Sequence, residues 1–370
     1  MTFNALIVVL SMVLLPVALI LTCIPYLTRK TESFGVSIPE KVYNTEPLRM
    51  IRNRYVRSML LLTIVTVGGF IWAGSMLSAN EETLSMVFAA VILLLLFLSF
   101  GVYLKFHYEM KRLKKESNWT QDKTQEVLVR TDFRAQRLIY SNLWYVIPFA
   151  ITILTTILTA LFYDRLPNIL TMKVNFAGEV TNAVEKSYRT AFLLPIMQSY
   201  LILLFIFINT VIAKSKQHLN AESPDRSFQQ VTLFRRRWSL FLLFTSTLLT
   251  IMFSFMQWSY FYLTNQHMVT IVSLVCSGII LVAALAISFS TGQGGSRIQM
   301  GGVEQLDSVD RDDDIHWKLG QIYFNPNDPA LFLEKRFGIG WTINFARPIA
   351  WLLLIGLIAI AAGIPTLLML

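Results

Sequence analysis

The chain has 370 residues, 54% of them hydrophobic and 15% charged, with a mean hydropathy of +0.54. Soluble domains carry about 45–50% apolar and about 25% charged residues, so a water-soluble globule is excluded. The formal net charge is +9; in so apolar a chain, basic residues report loop orientation before nucleic acid, and no nucleic-acid partner is expected.

Apolar runs long enough to cross hydrocarbon as helices predict eight spans, at about 3–27, 58–78, 84–104, 142–162, 190–213, 239–263, 268–290 and 348–370. The expected fold class is all-α, a polytopic integral membrane protein with the lipid bilayer as its first partner. Cys23 and Cys276 fall inside these runs, which excludes a disulfide framework and a thiol metal site.

The first span has no Lys or Arg before Arg29, unlike a secretory signal with its basic leading segment. It reads as a retained helix with its N-terminus outside. On that orientation 28 of the 32 basic residues fall inside and four outside (Arg165, Lys173, Lys186, Arg189), as the positive-inside rule requires, and the C-terminus is also outside. Arg52, Arg54 and Arg57, Arg134 and Arg137, Arg235 to Arg237, and Arg347 precede inside-to-outside spans, where they are expected to face lipid phosphates. Trp144, Trp238, Trp341 and Trp351 beside them fit an aromatic belt. The basic run Lys111, Arg112, Lys114 and Lys115 extends the third span and is expected to bind anionic lipid.

Five parts follow: a three-span region with two basic inside segments (1–141); a helix pair with an outside loop at 163–189 (142–213); a third inside segment with a helical hairpin (214–290); an inside linker and C-terminal domain (291–347); and the last span (348–370).

No charged residue falls at mid-depth in the predicted spans, where proton relays and ion paths keep them. Gln198, Asn209 and Gln257 are expected to hydrogen-bond between helices. Paired intramembrane aspartates, a serine with a base, HExxH and GxxxxGK[ST] are all absent from the sequence, so neither catalysis nor a cofactor is expected. His107, His218, His267 and His316 are far apart and divided between the two sides, so no metal site is expected. Asp310, Asp312 and Asp314 imitate the start of a calcium loop. Ile315 replaces its glycine and Gln321 its bidentate glutamate, and a solvated acidic turn is the expectation.

The largest outside segment contains Leu166-Pro167, then Lys173-Val174-Asn175-Phe176-Ala177-Gly178-Glu179, with turn chemistry from Asn175 to Gly178. Here the sequence resembles the SdpI-like family of bacterial membrane proteins, whose first domain carries Leu-Pro, then Ile-Pro-x-His-(Phe/Trp)-Asn-x-x-Gly, between two spans. Leu166, Pro167, Asn175 and Gly178 match by position, and Glu179 fits a frequent continuation. Thr171 stands for the second proline and Lys173 for the histidine. The resemblance implies toxin immunity and docking of a small transcriptional repressor in the bacterial cytoplasmic membrane. On it, Leu166, Pro167, Lys173, Asn175, Gly178 and Glu179 are the candidate contacts for a secreted peptide.

The inside stretch 291–347 holds six basic and eight acidic residues. Thr291 to Gly302 reads as a flexible glycine-rich linker. Asp328-Pro329 predicts the cap and first residue of a helix over about 329–337, which Gly338 terminates. The runs 316–326 and 336–348 resemble an uncharacterised C-terminal domain of Gram-positive relatives of the SdpI-like group. Trp317, Tyr323, Asn325, Arg336, Gly338 and Trp341 are its candidate docking residues for a cytosolic regulator. The expected function is a sensor or immunity-type protein; the alternative is a permease or transporter subunit, with Asn209 and Gln198 lining a path.

Overall fold

A computed structural model describes residues 10–76, 81–117, 119, 124–126, 137–174, 180–220, 223–262, 266–300, 308–310 and 312–369. Its helices are α1 (Leu15–Leu27), α2 (Glu46–Met76), α3 (Glu81–Ser117), α4 (Val146–Leu161), α5 (Leu193–Lys214), α6 (Pro224–Tyr262), α7 (Gln266–Thr291) and α8 (Pro348–Met369). Among the described residues, six helices are long and apolar enough to cross a membrane, those over Glu46–Ala73, Ser85–Ser117, Asn142–Leu161, Leu193–Lys214, Pro224–Tyr262 and Gln266–Gly295. Met12–Leu27 and Pro348–Ala359 are shorter apolar helices.

Several helices outrun their apolar cores. The α6 helix begins at Pro224, 15 residues before the predicted span, and with 39 residues runs about 58 Å. The contacts among α4, α5, α6 and the residues just before α4 include a set of polar ones. Thr152, Thr155 and Thr159 make up the buried face of α4 with Pro148. Gln198 donates to the Thr250 carbonyl and to Ser254 Oγ, both at 2.9 Å. Asn209 donates to the Tyr140 carbonyl at 3.1 Å and to Asn142 at 2.7 Å, and Gln257 to the Ala191 carbonyl at 3.0 Å. In hydrocarbon an amide must find a protein partner, so these bonds fix which helix faces meet.

The strands form two-stranded pairs. After α1 come β1 (Glu32–Ser33) and β2 (Val36–Ser37); β3 (Thr124–Glu126) runs parallel to β6 (Ser308–Asp310); β4 (Ile169–Val174) and β5 (Val180–Glu185) make an antiparallel hairpin between α4 and α5. The C-terminal segment holds β7 (Trp317–Lys318) with β8 (Ile322–Tyr323), and β9 (Phe332–Glu334) with β10 (Trp341–Ile343).

Three local expectations are corrected. No helix forms over 329–337: β9 pairs there with β10, because Asn344 pins the preceding loop through the Asn325, Asp328 and Ala330 carbonyls at 2.8, 3.2 and 3.3 Å. Asp328 accepts from the Ala330 amide at 2.9 Å, capping a turn and no helix. The predicted linker is a fitted turn as far as residue 300: Gly292, Gly294 and Gly295 take positive φ, and Gln293 to Gly295 are buried. Space forces the small residues, since a Cβ on Gly295 would strike the Gln230 carbonyl. The acidic turn is ion-paired, with Lys114 Nζ 2.7 Å from both Asp312 and Asp314.

Candidate docking site of the C-terminal segment

The site is built where the C-terminal segment meets the near ends of α1, α3, α5 and α6. Its first part is a pair of turns. Phe34-Gly35 joins β1 to β2 with φ of +48° and +75°, and Leu319-Gly320 follows β7 with φ of +53° and +70°. A positive φ on phenylalanine is strained and persists only when packing over-determines it. The Phe34 ring supplies that packing, fully buried and 5.3, 5.7 and 5.7 Å from the rings of Tyr55, Phe106 and Phe337. On α3, Tyr103 Oη donates to the Leu319 carbonyl at 2.9 Å, and His107 Nδ1 lies 2.8 Å from the Phe34 carbonyl. One helix face thus holds turns 285 positions apart in sequence.

The second part is a set of buried charges. Glu334 at the end of β9 is paired with Arg29, just after α1, and with Arg235 of α6 at 3.0 Å; all three are buried. Arg235 also donates to the Ile212, Ser215 and Lys216 carbonyls at 3.1–3.3 Å, which ties the end of α5 to the same carboxylate. Arg336 pairs with Asp313 and Asp314, lies 3.9 Å from Glu32, and has its guanidinium 5.0 Å from the Trp317 ring centre. Burial lowers the Arg336 pKa to about 10, so it stays charged at neutral pH.

Asp328 accepts from Tyr323 Oη at 2.8 Å and Lys216 Nζ at 2.7 Å. Burial alone would raise its pKa, but the bonds from Lys216, the Ala330 amide and Tyr323 outweigh that and hold it below the usual range. The Tyr323 hydroxyl is pushed up to about 12, by burial and then by Asp328. His218 Nε2 lies 3.5 Å from Glu32, with 39% of the side chain still in solvent. Surrounding protein, then Arg29, Arg336 and Lys216, push its pKa well below 6.5, so the ring is neutral at pH 7.

All six candidate docking residues take part in contacts within the chain. Trp317 Nε1 donates to Asp313 at 3.2 Å, Tyr323 and Arg336 act as above, and Asn325 donates to Tyr323 Oη at 3.2 Å. The Gly338 amide lies 3.4 Å from Thr28 Oγ1, and the Trp341 ring packs 5.4 Å from Phe234. The Trp341 ring also lies 6.5 Å from that of Trp238, so both tryptophans pack within the fold, while Trp144 and Trp351 are exposed. Two arginines expected to face lipid are buried instead: Arg235 as above, and Arg52, 4.2 Å over the Tyr43 ring. Sequence reading missed Arg29, Glu334 and Asn344; a carboxylate closing the apolar pair Phe332-Leu333 was the available signal.

At the opposite end of α5, Leu166 is buried with Leu170 and Ala191, and its carbonyl accepts from Lys186 Nζ at 3.1 Å. Pro167 is half-buried beside it. The Tyr163 and Tyr188 rings stack at 4.5 Å, and Tyr260 of α6 donates to the Thr171 carbonyl at 3.1 Å. The Lys173 backbone pairs with Asn182 at an irregularity in the hairpin. Asn175, Gly178 and Glu179 lie outside the described residues. Among the described residues, no group of three or more His, Cys, Asp or Glu side chains is placed to hold a metal ion.

Two family models match. A domain of unknown function (DUF1648) covers residues 150–198, from α4 through the hairpin into α5, and a family of unknown function (DUF5808) covers residues 326–351, from the Asp328 turn to the start of α8. Comparison with curated proteins and with solved structures finds no match. The chain is therefore a membrane protein by its helices that carries two domains of unknown function.

Proposed function

We propose that the chain is a sensor or immunity-type protein of the bacterial cytoplasmic membrane, akin to the SdpI-like group, with eight spans and both termini outside. In this reading the β4–β5 hairpin faces outward and meets a secreted, membrane-active peptide, and the C-terminal segment faces the cytosol and docks a transcriptional regulator. The supporting observation is the reach of α6. Tyr260 near one end holds the hairpin at Thr171, and Arg235, 25 residues or about 38 Å away, holds Glu334 of the C-terminal segment. A peptide that displaces the hairpin therefore pulls on the helix that anchors the inner segment. The regulator would meet what that segment leaves open, the apolar side chains of Ile315 (75% exposed), Ile322 and Phe324.

The test is a deletion strain challenged with membrane-active peptides, alongside affinity purification of the intact protein. Raised sensitivity restored by the wild-type gene but not by Tyr260→Phe, and a co-purifying regulator lost in Ile315→Asp, are the expected results. Unchanged sensitivity with no regulator recovered overturns the reading.

A further inference from the structure

Arg29 also lines a small cleft between four segments: the chain after α1, the turn at Glu40, the start of α6, and the glycine turn after α7. Its volume is about 40 Å³. A water needs about 10–15 Å³ on this measure, so the cleft takes about three waters or one group the size of phosphate.

Among the described residues its wall carries more basic than acidic groups. Arg29, Lys30 and Arg226 stand in the wall against one carboxylate, Glu40. Glu40 accepts from Asn220 at 2.8 Å and is 3.9 Å from Lys30 Nζ, a long ion pair whose lysine is 40% exposed. Arg29 pairs with Glu334, which also pairs with Arg235. Arg226 Nε is out of solvent and has no hydrogen-bond partner among the described residues. A donor shielded from water without a partner is costly, and an anion in the cleft relieves that cost. The turn matches: Gly294, at φ +60°, leaves the Arg29 guanidinium the space a Cβ would fill.

We propose that this cleft binds one phosphate group, supplied by an inner-leaflet phospholipid or by a soluble phosphate. Both sources can reach it, because Arg29-Lys30 and Gln293-Gly294 directly follow the apolar helices α1 and α7. The site stands independently of the peptide reading. It touches the docked C-terminal segment through Gln293, which donates to the Lys335 and Gly340 carbonyls at 3.1 and 3.0 Å.

The experiment follows thermal unfolding of the full chain in phosphate-free maltoside micelles, with inorganic phosphate titrated against chloride at constant ionic strength, and separately with phosphatidylglycerol added to the micelles. A rise in unfolding temperature with inorganic phosphate, its half-effect concentration increased about tenfold in Arg226→Gln as for one lost charge-assisted hydrogen bond and partly recovered in Arg226→Lys, identifies a soluble phosphate. A rise only with phosphatidylglycerol that Arg226→Gln abolishes identifies a headgroup. Lys30→Gln serves the same comparison should Arg226→Gln not fold. No rise with either anion, or an equal rise in wild type and variants, overturns the proposal.

Discussion

Arg235 and Glu334 meet at 3.0 Å with both side chains out of solvent, and Arg29 holds the other side of the same carboxylate. Taking a carboxylate and two guanidinium groups out of water is expensive, so the arrangement tolerates loss of one member badly. Glu334→Gln removes the carboxylate that two buried cations share. It is expected to lower stability by about 3–5 kcal/mol, read as a fall in unfolding temperature of the detergent-purified protein together with faster proteolysis of residues 308–347.

Asn344, fully buried, donates to three carbonyls while its own oxygen accepts from the Asn325 and Ala346 amides at 3.1 and 3.2 Å. Asn344→Asp replaces that donor with a carboxylate facing carbonyl oxygens, whereas Asn344→Ala only removes it. Both variants destabilise, the aspartate more, by about 2 kcal/mol or above; chemical unfolding ranks the two.

Gly35 sits at φ +75°, and a Cβ there would meet the Gly320 backbone and Tyr103 Oη. Gly35→Ala is expected to cost about 1–3 kcal/mol from backbone strain alone and to part the two turns. Tyrosine fluorescence and protease sensitivity at 317–323 report that separation, and Gly68→Ala, where a Cβ meets nothing within 4 Å, is the control.

The His218 pKa lies well below 6.5 in the folded chain, so the unfolded state binds the extra proton first. The neutral ring's contribution to stability is complete above pH 6.5 and is lost as pH falls below it. Asp328 and Asp312, held below 3.8, add a second loss in stronger acid. Unfolding temperature measured against pH should therefore fall below pH 6.5, and His218→Gln should remove that first step while sparing the acid one.

Gln198 spends its amide on Thr250 and Ser254 of α6. Gln198→Leu is expected to cost roughly 0.6–2 kcal/mol, the range for hydrogen bonds between helices in membranes, measured as a lower unfolding temperature.

Much of this was legible in the sequence for a one-dimensional reason. A helix in hydrocarbon satisfies its own backbone, so an apolar run of sufficient length suffices to place it; helices form over the apolar runs, and among the described residues six of them, α2 to α7, are long and apolar enough to cross a membrane. The amides of Gln198, Asn209 and Gln257 were readable for the same reason: in an apolar layer they had to find partners in the protein.

What only the tertiary structure decided is which charges pair, because pairing joins residues far apart in the chain. Arg235, Arg236 and Arg237 are alike in sequence, yet helical rotation turns Arg235 toward Glu334 and Arg236 toward the Arg137 carbonyl at 2.9 Å. The helix signal at Asp328-Pro329 was genuine local chemistry. It lost to the side chain of Asn344, Lys216 at the end of α5 and the pairing of β9 with β10. Composition located the membrane-spanning part. The docking site formed where segments from residues 29, 107, 216, 235, 293 and 334 converge, since burying their polar groups left other parts of the same chain to satisfy them.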